Sequence, residues 1–172
     1  MLHDNKNLAL VSDAGTPGIN DPGGLLIQEI LKEIPDAKIV PIPGPNAAIA
    51  ALSICGFPSD KFVYMGFVPH KKGRRKFFEH IVDTKETVVF YESKYRIIKT
   101  LHELEKVLKK RCVVVARELT KQFETVYRGD LLHIVMQLER GETRGEFVIV
   151  VSGKEYYEGK NIRTTREKIT GR

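Results

Sequence analysis

Leu8-Ala-Leu-Val-Ser-Asp-Ala-Gly-Thr-Pro-Gly-Ile-Asn-Asp-Pro-Gly-Gly24 is the stretch that decides the fold. The apolar run Leu8 to Val11 reads as a short buried strand. Asp13, Gly15, Pro17 and Gly18 then break regular structure and favour a tight loop. Asp21 reads as an N-cap with Pro22 at the first helical position, and Leu25, Leu26, Ile30 and Ile34 follow at helical spacing. A Gly-rich loop therefore joins a strand to a helix, the place where open α/β sheets bind ligands. Gly15, Gly18, Gly23 and Gly24 would let a ligand lie against the backbone, or would serve the turn alone. No Gly-Lys-Ser/Thr follows, so the loop is not a Walker-type phosphate cradle.

Further along, the chain reads as two α/β units. Residues 1–60 read β-α-β-α, with a strand at Lys38 to Ile42 and a helix from Asn46 to Ile54. Two strands with alternating helices make an incomplete parallel-sheet unit rather than a domain. Residues 61–152 read as five strands and three helices that do not alternate strictly, which predicts a mixed sheet. The strands are Phe62 to Phe67, Thr87 to Tyr91, Cys112 to Ala116, Phe123 to Tyr127 and Phe147 to Val151. Residues 153–172 carry few apolar side chains and read as a charged, frayed tail.

Charge divides along the same line. The net charge is +6, yet residues 1–60 sum to −4 and residues 61–172 to +10. Lys71, Lys72, Arg74, Arg75 and Lys76 form the densest basic run, which is either a solvated helix start or a contact for RNA phosphates. No apolar run reaches the ~20 residues a membrane span needs. The first seven residues lack the pattern of a signal peptide, so a cytoplasmic protein is expected. Cys55 and Cys112 lie in apolar stretches and read as core thiols, and no His/Cys spacing suits a metal.

Six further motifs follow the opening loop: Pro41-Ile-Pro-Gly-Pro-Asn46, Gly56-Phe-Pro-Ser-Asp60, Gly66-Phe-Val-Pro69, Phe90-Tyr-Glu-Ser93, Ala116-Arg-Glu-Leu-Thr120 and Gly145-Glu-Phe147. With Ser12 to Gly24 they resemble the tetrapyrrole methylase superfamily, in the branch that methylates a ribose 2′-hydroxyl of small-subunit ribosomal RNA. Members of that family begin with a further strand and a Pro-Ile-Gly-Asn-Leu loop. Nothing like it precedes Leu8, so the chain resembles a member lacking its N-terminal part. Self-association as a homodimer, or else poor ordering of residues 1–60, is expected, with very weak cofactor binding.

The resemblance implies S-adenosylmethionine as cofactor, held in a cleft between the two units. Asp13, Ala14, Gly15, Thr16, Ile19, Asn46 and Ala47 would line one side. Tyr91, Glu92, Ala116, Arg117, Gly145, Glu146 and Phe147 would close the other. Asn46 and Ala47 read as the first turn of a helix, whose N–H groups suit a carboxylate. The partner implied is ribosomal RNA in the small subunit, gripped by the basic run and Lys94, with Arg117 able to take a phosphate as well. A 2′-hydroxyl needs its proton removed as the new bond forms, so a general base would help. Glu92 and Glu118, each ending an apolar strand, are the candidates, against the alternative of ion pairs with Arg117 or Lys94. Two other readings remain: a methylase of porphyrin-like carbon acids, and a non-catalytic fragment binding RNA or protein.

Overall fold

The computed structural model describes residues 6–108 and 111–157. Its contacts divide the chain into two compact units, 1–47 and 48–172. Of the tail expected over 153–172, Lys154–Tyr157 form a short helix with the Tyr156 ring 5.5 Å from Phe57, and residues beyond 157 lie outside the described residues.

In the first unit one helix, α1 (Gly24–Glu33), is formed. Neither Leu8 to Val11 nor Lys38 to Ile42 is a strand. A strand is defined by its ladder, and neither segment has a paired neighbour among the described residues. Leu8, Leu10, Val11, Ile39, Val40 and Ile42 are accordingly exposed, and α1 buries none of its residues. The helix also starts later than its polar residues suggest. Gly23, not Asp21, is the N-cap, at φ 141, and a Cβ there would sit 2.6 Å from Leu10 Cδ2.

The second unit is built on a five-stranded sheet in the order β1-β2-β5-β3-β4. The strands are β1 (Phe62–Phe67), β2 (Thr87–Ser93), β3 (Val113–Arg117), β4 (Thr125–Gly129) and β5 (Glu146–Val151). Only the β1–β2 pair is parallel; β2–β5, β5–β3 and β3–β4 are antiparallel. The mixed sheet expected from the sequence is present, and the fold is α/β.

Period-2 alternation distributes the strand side chains between two cores. Val88, Phe90, Val113, Val115, Phe147, Ile149 and Val151 face one side. There they pack under α3 (Arg74–Asp83), α4 (Ile97–Leu108) and α5 (Leu131–Arg140). Each helix offers one apolar stripe, such as Ile97, Leu101, Leu104 and Leu108 on α4. Fully burying a side chain of this size stabilises the fold by roughly 1.5–3 kcal/mol. Asp130 caps α5, its carboxylate accepting from His133 N at 2.9 Å.

Val89, Val114, Ala116, Val148 and Val150 face the other side, where α2 (Ala47–Cys55) packs with Ala48, Ala51, Leu52 and Cys55. This is why the division falls at Ala47 rather than near residue 60: the almost wholly apolar α2 has the second unit's sheet to bury against. Both cysteines are free thiols, Cys55 buried and Cys112 half-buried. No helix among the described residues is long and apolar enough to cross a membrane.

Candidate functional site

In the first unit the Gly-rich loop and the Pro-Gly-Pro turn meet backbone to backbone. Thr16 Oγ1 accepts from Gly44 N at 3.1 Å and lies 3.1 Å from Gly44 O, to which it can donate. A Cβ on Gly44 would stand 2.2 Å from Gly15 O, and one on Gly15 would stand 3.3 Å from Pro45 O. Gly15 and Gly18 hold φ 82 and φ 85, conformations that glycine adopts without strain. A Cβ at Gly18 would meet nothing within 4 Å, so the loop has an open side. Asp13, Ala14 and Ile19 are exposed on it, while Thr16 is half-buried in the loop contact. Asn46 immediately precedes α2 rather than lying in its first turn, and Ala47 begins the helix.

In the second unit the cofactor candidates fall into separate environments. Tyr91, half-buried, accepts from Ala48 N at 3.1 Å and so satisfies an N–H of the first turn of α2. Its ring meets Tyr64 and Phe67 edge-on, with centroids 5.5 and 5.4 Å away. Ala116 and Phe147 are buried in the sheet, Ala116 against α2 and Phe147 under the helices on the other face. Arg117 is buried and donates to two carbonyls, Arg144 O at 2.6 Å and Phe123 O at 3.2 Å.

The two candidate bases differ sharply. Glu92 is 1% exposed. Its Oε1 accepts from Ser93 N at 2.7 Å and lies 2.7 Å from Arg96 Nη2. Its Oε2 accepts from Thr100 Oγ1 at 2.6 Å and lies 3.8 Å from Arg74 Nη1. The ion-pair partners are thus Arg96 and Arg74, not Arg117 or Lys94. Sheet parity explains this: Glu92 lies two residues after Phe90, on the helix-covered face, where only α3, α4 and the turns before them can supply cations. With both oxygens engaged and water excluded, this carboxylate is occupied as an anchor.

Glu118 is half-buried and holds φ 48, an uncommon conformation for a side chain of its size. Its Oε1 accepts from Glu146 N at 2.8 Å and from Lys121 Nζ at 3.1 Å. Its own N–H donates to Glu146 O at 2.9 Å. Gly145, at φ 114, leaves the room: a Cβ there would be 2.6 Å from Glu118 Cγ. The Glu146 N–H holds the Glu118 carboxyl below the usual carboxylate range against the opposing effect of burial, and Lys121 adds a smaller lowering. A lowered value makes a weaker base. Because the folded value lies below the unfolded one, the stabilisation is present above the unfolded carboxyl value and is lost as pH falls through the folded one. Glu142 behaves in the same way: hydrogen bonds from Arg144 bring it from 4.5 to about 2. Stability should therefore decline on acidification from about 4.5 toward about 2, and Glu142→Gln should flatten that limb in acid titrations followed by circular dichroism. Glu142 pairs with an exposed Arg144, so 1 M salt should erase most of its share.

Within the basic run, one residue departs from expectation. Arg74 is buried rather than solvated, with Nε on Glu103 Oε2 at 2.7 Å, Nη2 on Thr100 Oγ1 at 2.7 Å and Nη1 on Pro69 O at 3.1 Å. It is the first residue of α3, and its guanidinium lies 5.2 Å from the Phe78 ring centroid, under α4 rather than in water. Lys71, Lys72, Arg75, Lys76 and Lys94 are exposed. Arg75 pairs with Glu79 one turn along at 2.7 Å, and Lys94 Nζ lies 5.0 Å over the Tyr95 ring.

Sequence alone did not single out Arg96, Thr100 or Lys121, partners of the expected acids, or Glu103, the partner of Arg74. Arg96, four residues after Glu92, was the available signal. Arg111 was missed as well: buried, it donates to Ser152 O and, at 2.6 Å, to Ile81 O, and burial pushes it down to about 10. A groove of about 640 Å³ runs between α3 and α4, lined by Phe78, Val82 and Val107 among others. Of the expected site residues it touches only Arg74 and Arg75.

The fold is that of a group of solved methyltransferases. A structure of diphthine synthase superposes with TM-score 0.60 at 12% identity, covering 80% of this chain and 57% of that one. Cobalt precorrin-4 methyltransferase gives 0.57 at 17%, covering 80% and 61%. Uroporphyrin-III C-methyltransferase from Thermus thermophilus, solved with S-adenosylhomocysteine, gives 0.54 at 15%, covering 80% and 62%.

Residues 1–134 match the family of tetrapyrrole (corrin/porphyrin) methylases, and the chain belongs to it. It is 44% identical over 161 residues to ribosomal RNA small subunit methyltransferase I of Escherichia coli O157:H7, covering 91% of this chain and 56% of the relative. The protein of that name from Thermotoga maritima is 37% identical, covering 90% and 69%. The chain thus spans little more than half the length of the E. coli relative.

Proposed function

We propose that this chain serves S-adenosylmethionine-dependent methylation of small-subunit ribosomal RNA, at the 2′-hydroxyl of a cytidine ribose. The observation that carries the reading is the identity of 37–45% to proteins named ribosomal RNA small subunit methyltransferase I. The two solved corrin and porphyrin methyltransferases described above share only 15–17% identity with this chain, a likeness of fold that does not itself favour a porphyrin-like substrate. Asp13, Ala14, Gly15, Thr16, Ile19, Asn46 and Ala47 in the first unit, with Tyr91, Ala116, Arg117, Gly145, Glu146 and Phe147 in the second, are assigned to the cofactor. The methyl donor is a sulfonium whose carbon is displaced in line by the acceptor oxygen. The protein's part is positioning, an effect that supplies roughly 7–11 kcal/mol in well-oriented reactions. The open side of the loop at Gly18 and the exposed Asp13 carboxylate fit a polar, cationic ligand. Glu92 is assigned to holding loops rather than to proton removal, since both of its oxygens are engaged. Glu118 is assigned likewise, because its Oε1 holds Glu146 N and Lys121 and its lowered carboxyl pKa makes a weaker base.

RNA is assigned to Lys71, Lys72, Arg75, Lys76 and Lys94, without Arg74. A cytoplasmic location accords with that substrate. A homodimer is proposed as well, supported by the exposed apolar residues of the first unit, and sedimentation of the chain tests it. Calorimetric titration with S-adenosylhomocysteine separates the enzyme reading from a non-catalytic fragment, since the fragment would give no heat of binding. Changing Lys71, Lys72, Arg75 and Lys76 to Gln should weaken RNA binding and reduce the salt slope by about 0.7–0.9 for each phosphate the run no longer neutralises. Cofactor affinity should stay as it was. An unchanged slope removes the run from the RNA footprint.

A further inference from the structure

Two large aromatic side chains stand in water at the end of the sheet where β1 and β2 finish. Phe67, the last residue of β1, is 55% exposed, and Tyr95, just beyond β2, is 85% exposed. Neither belongs to the two apolar cores or packs against them. Because β1 and β2 are parallel, both residues lie at the same end of the sheet, Phe67 in register with Tyr91 and Tyr95 four residues further on.

The loops that carry them are tied together. Arg96 Nη1 donates to Val68 O at 2.9 Å and its Nε to Ser93 Oγ at 3.3 Å, while Nη2 pairs with Glu92 at 2.7 Å. Arg74 holds the same first loop through Pro69 O. The buried Glu92 thus fixes, through two arginines, the backbone beside Phe67 and beside Tyr95. Cations flank both rings: Lys71 and Lys72 follow Phe67 in its loop, and Lys94 lies over Tyr95.

We propose that Phe67 and Tyr95 form a stacking platform for unpaired bases of a single-stranded RNA segment, with Lys71, Lys72 and Lys94 on its phosphates. This deepens the RNA reading above and rests on it. Exposed aromatic faces beside a basic loop are what single-stranded RNA uses, because a splayed base offers its π-face to any ring. A duplex keeps its bases stacked on one another and has no face to offer. The ring contact from Phe67 to Tyr91 places the platform next to a residue assigned to the cofactor.

The test uses the full chain, a labelled single-stranded RNA of about 12 nucleotides and the same sequence as a duplex, followed by fluorescence anisotropy over a salt series. Tyr95→Ala should weaken single-strand binding by about 5- to 150-fold with the salt slope unchanged, since stacking is removed while every phosphate stays neutralised. Tyr95→Phe should restore it, and duplex binding should not respond. Phe67→Ala, checked for an unchanged melting temperature, should act in the same direction. If both alanine variants bind single-stranded RNA as the parent does, or lose duplex and single strand equally, the platform is refuted while the RNA reading stands. If the parent chain binds neither RNA at low salt, the RNA reading itself falls.

Discussion

Glu92→Gln should lower the melting temperature of this protein by roughly 6–20 °C, the largest effect expected of any single neutralisation in the chain. The carboxylate is 1% exposed and shares its two oxygens among Arg96, Arg74, Thr100 and Ser93 N. Gln keeps the shape and one acceptor oxygen but removes the charge that balances two buried or half-buried guanidinium groups. Breaking one side of a buried pair costs about 3–5 kcal/mol, because the partner left behind remains desolvated. For a protein of this length each kcal/mol is worth about 2–4 °C. Arg74 retains Glu103, so the greater part of the loss should fall on Arg96. A cycle with Arg96→Met separates the pair from the packing: the double variant should be more stable than the two single losses predict. Thermal unfolding by circular dichroism reads both. An unchanged melting temperature with lost methyl transfer would instead return Glu92 to the role of general base.

Gly44→Ala should dismantle the loop contact of the first unit. The added Cβ would lie 2.2 Å from Gly15 O and 2.6 Å from Gly15 C, both backbone atoms that no rotamer change can move aside. Relief requires the 12–20 loop and the 43–46 turn to separate, which breaks the hydrogen bond from Gly44 N to Thr16 Oγ1. Each hydrogen bond of this kind is worth about 0.5–1.5 kcal/mol. The amide of Gly44 should exchange several-fold faster, while amides of β2 and β5 keep their protection. Methyl transfer should slow by about 100-fold relative to the parent, since about 1 Å of misplacement of the reacting groups has that effect on rate. Hydrogen exchange unchanged at Gly44 would mean that the loops accommodate the methyl group and that their contact is not tight. Gly145→Ala should be costly for a different reason: Gly145 holds φ 114, which L side chains rarely adopt, and the new Cβ would push the Glu118 side chain away at the expense of its bond to Glu146 N.

The α/β class, the mixed sheet, all five strands of the second unit within a few residues and the apolar stripes of α4 and α5 follow from periodicity alone. They do so because alternation and helical spacing are local properties, satisfied whatever the neighbours are. The motifs likewise point to the family directly, since Gly44 and Gly145 stand where only glycine fits without displacement. The first unit is different. Leu8 to Val11 and Lys38 to Ile42 have strand composition, but a strand exists only when another backbone completes its ladder, and composition does not supply that partner.

Charge was the other matter that only tertiary structure decided. Arg74 sits among five cations in six residues and looks like its neighbours, yet it turns under α4 to Glu103 and Thr100 while Lys71, Lys72, Arg75 and Lys76 stay in water. Glu92 ends a strand as Glu118 does, but its parity places it beneath the helices, whereas Glu118 has a left-handed backbone just past the end of β3. A residue's type determines that it carries charge. Whether that charge serves a ligand or an anchor depends on which side chains the fold brings within hydrogen-bond distance, and here those partners lie up to 29 residues away in the chain.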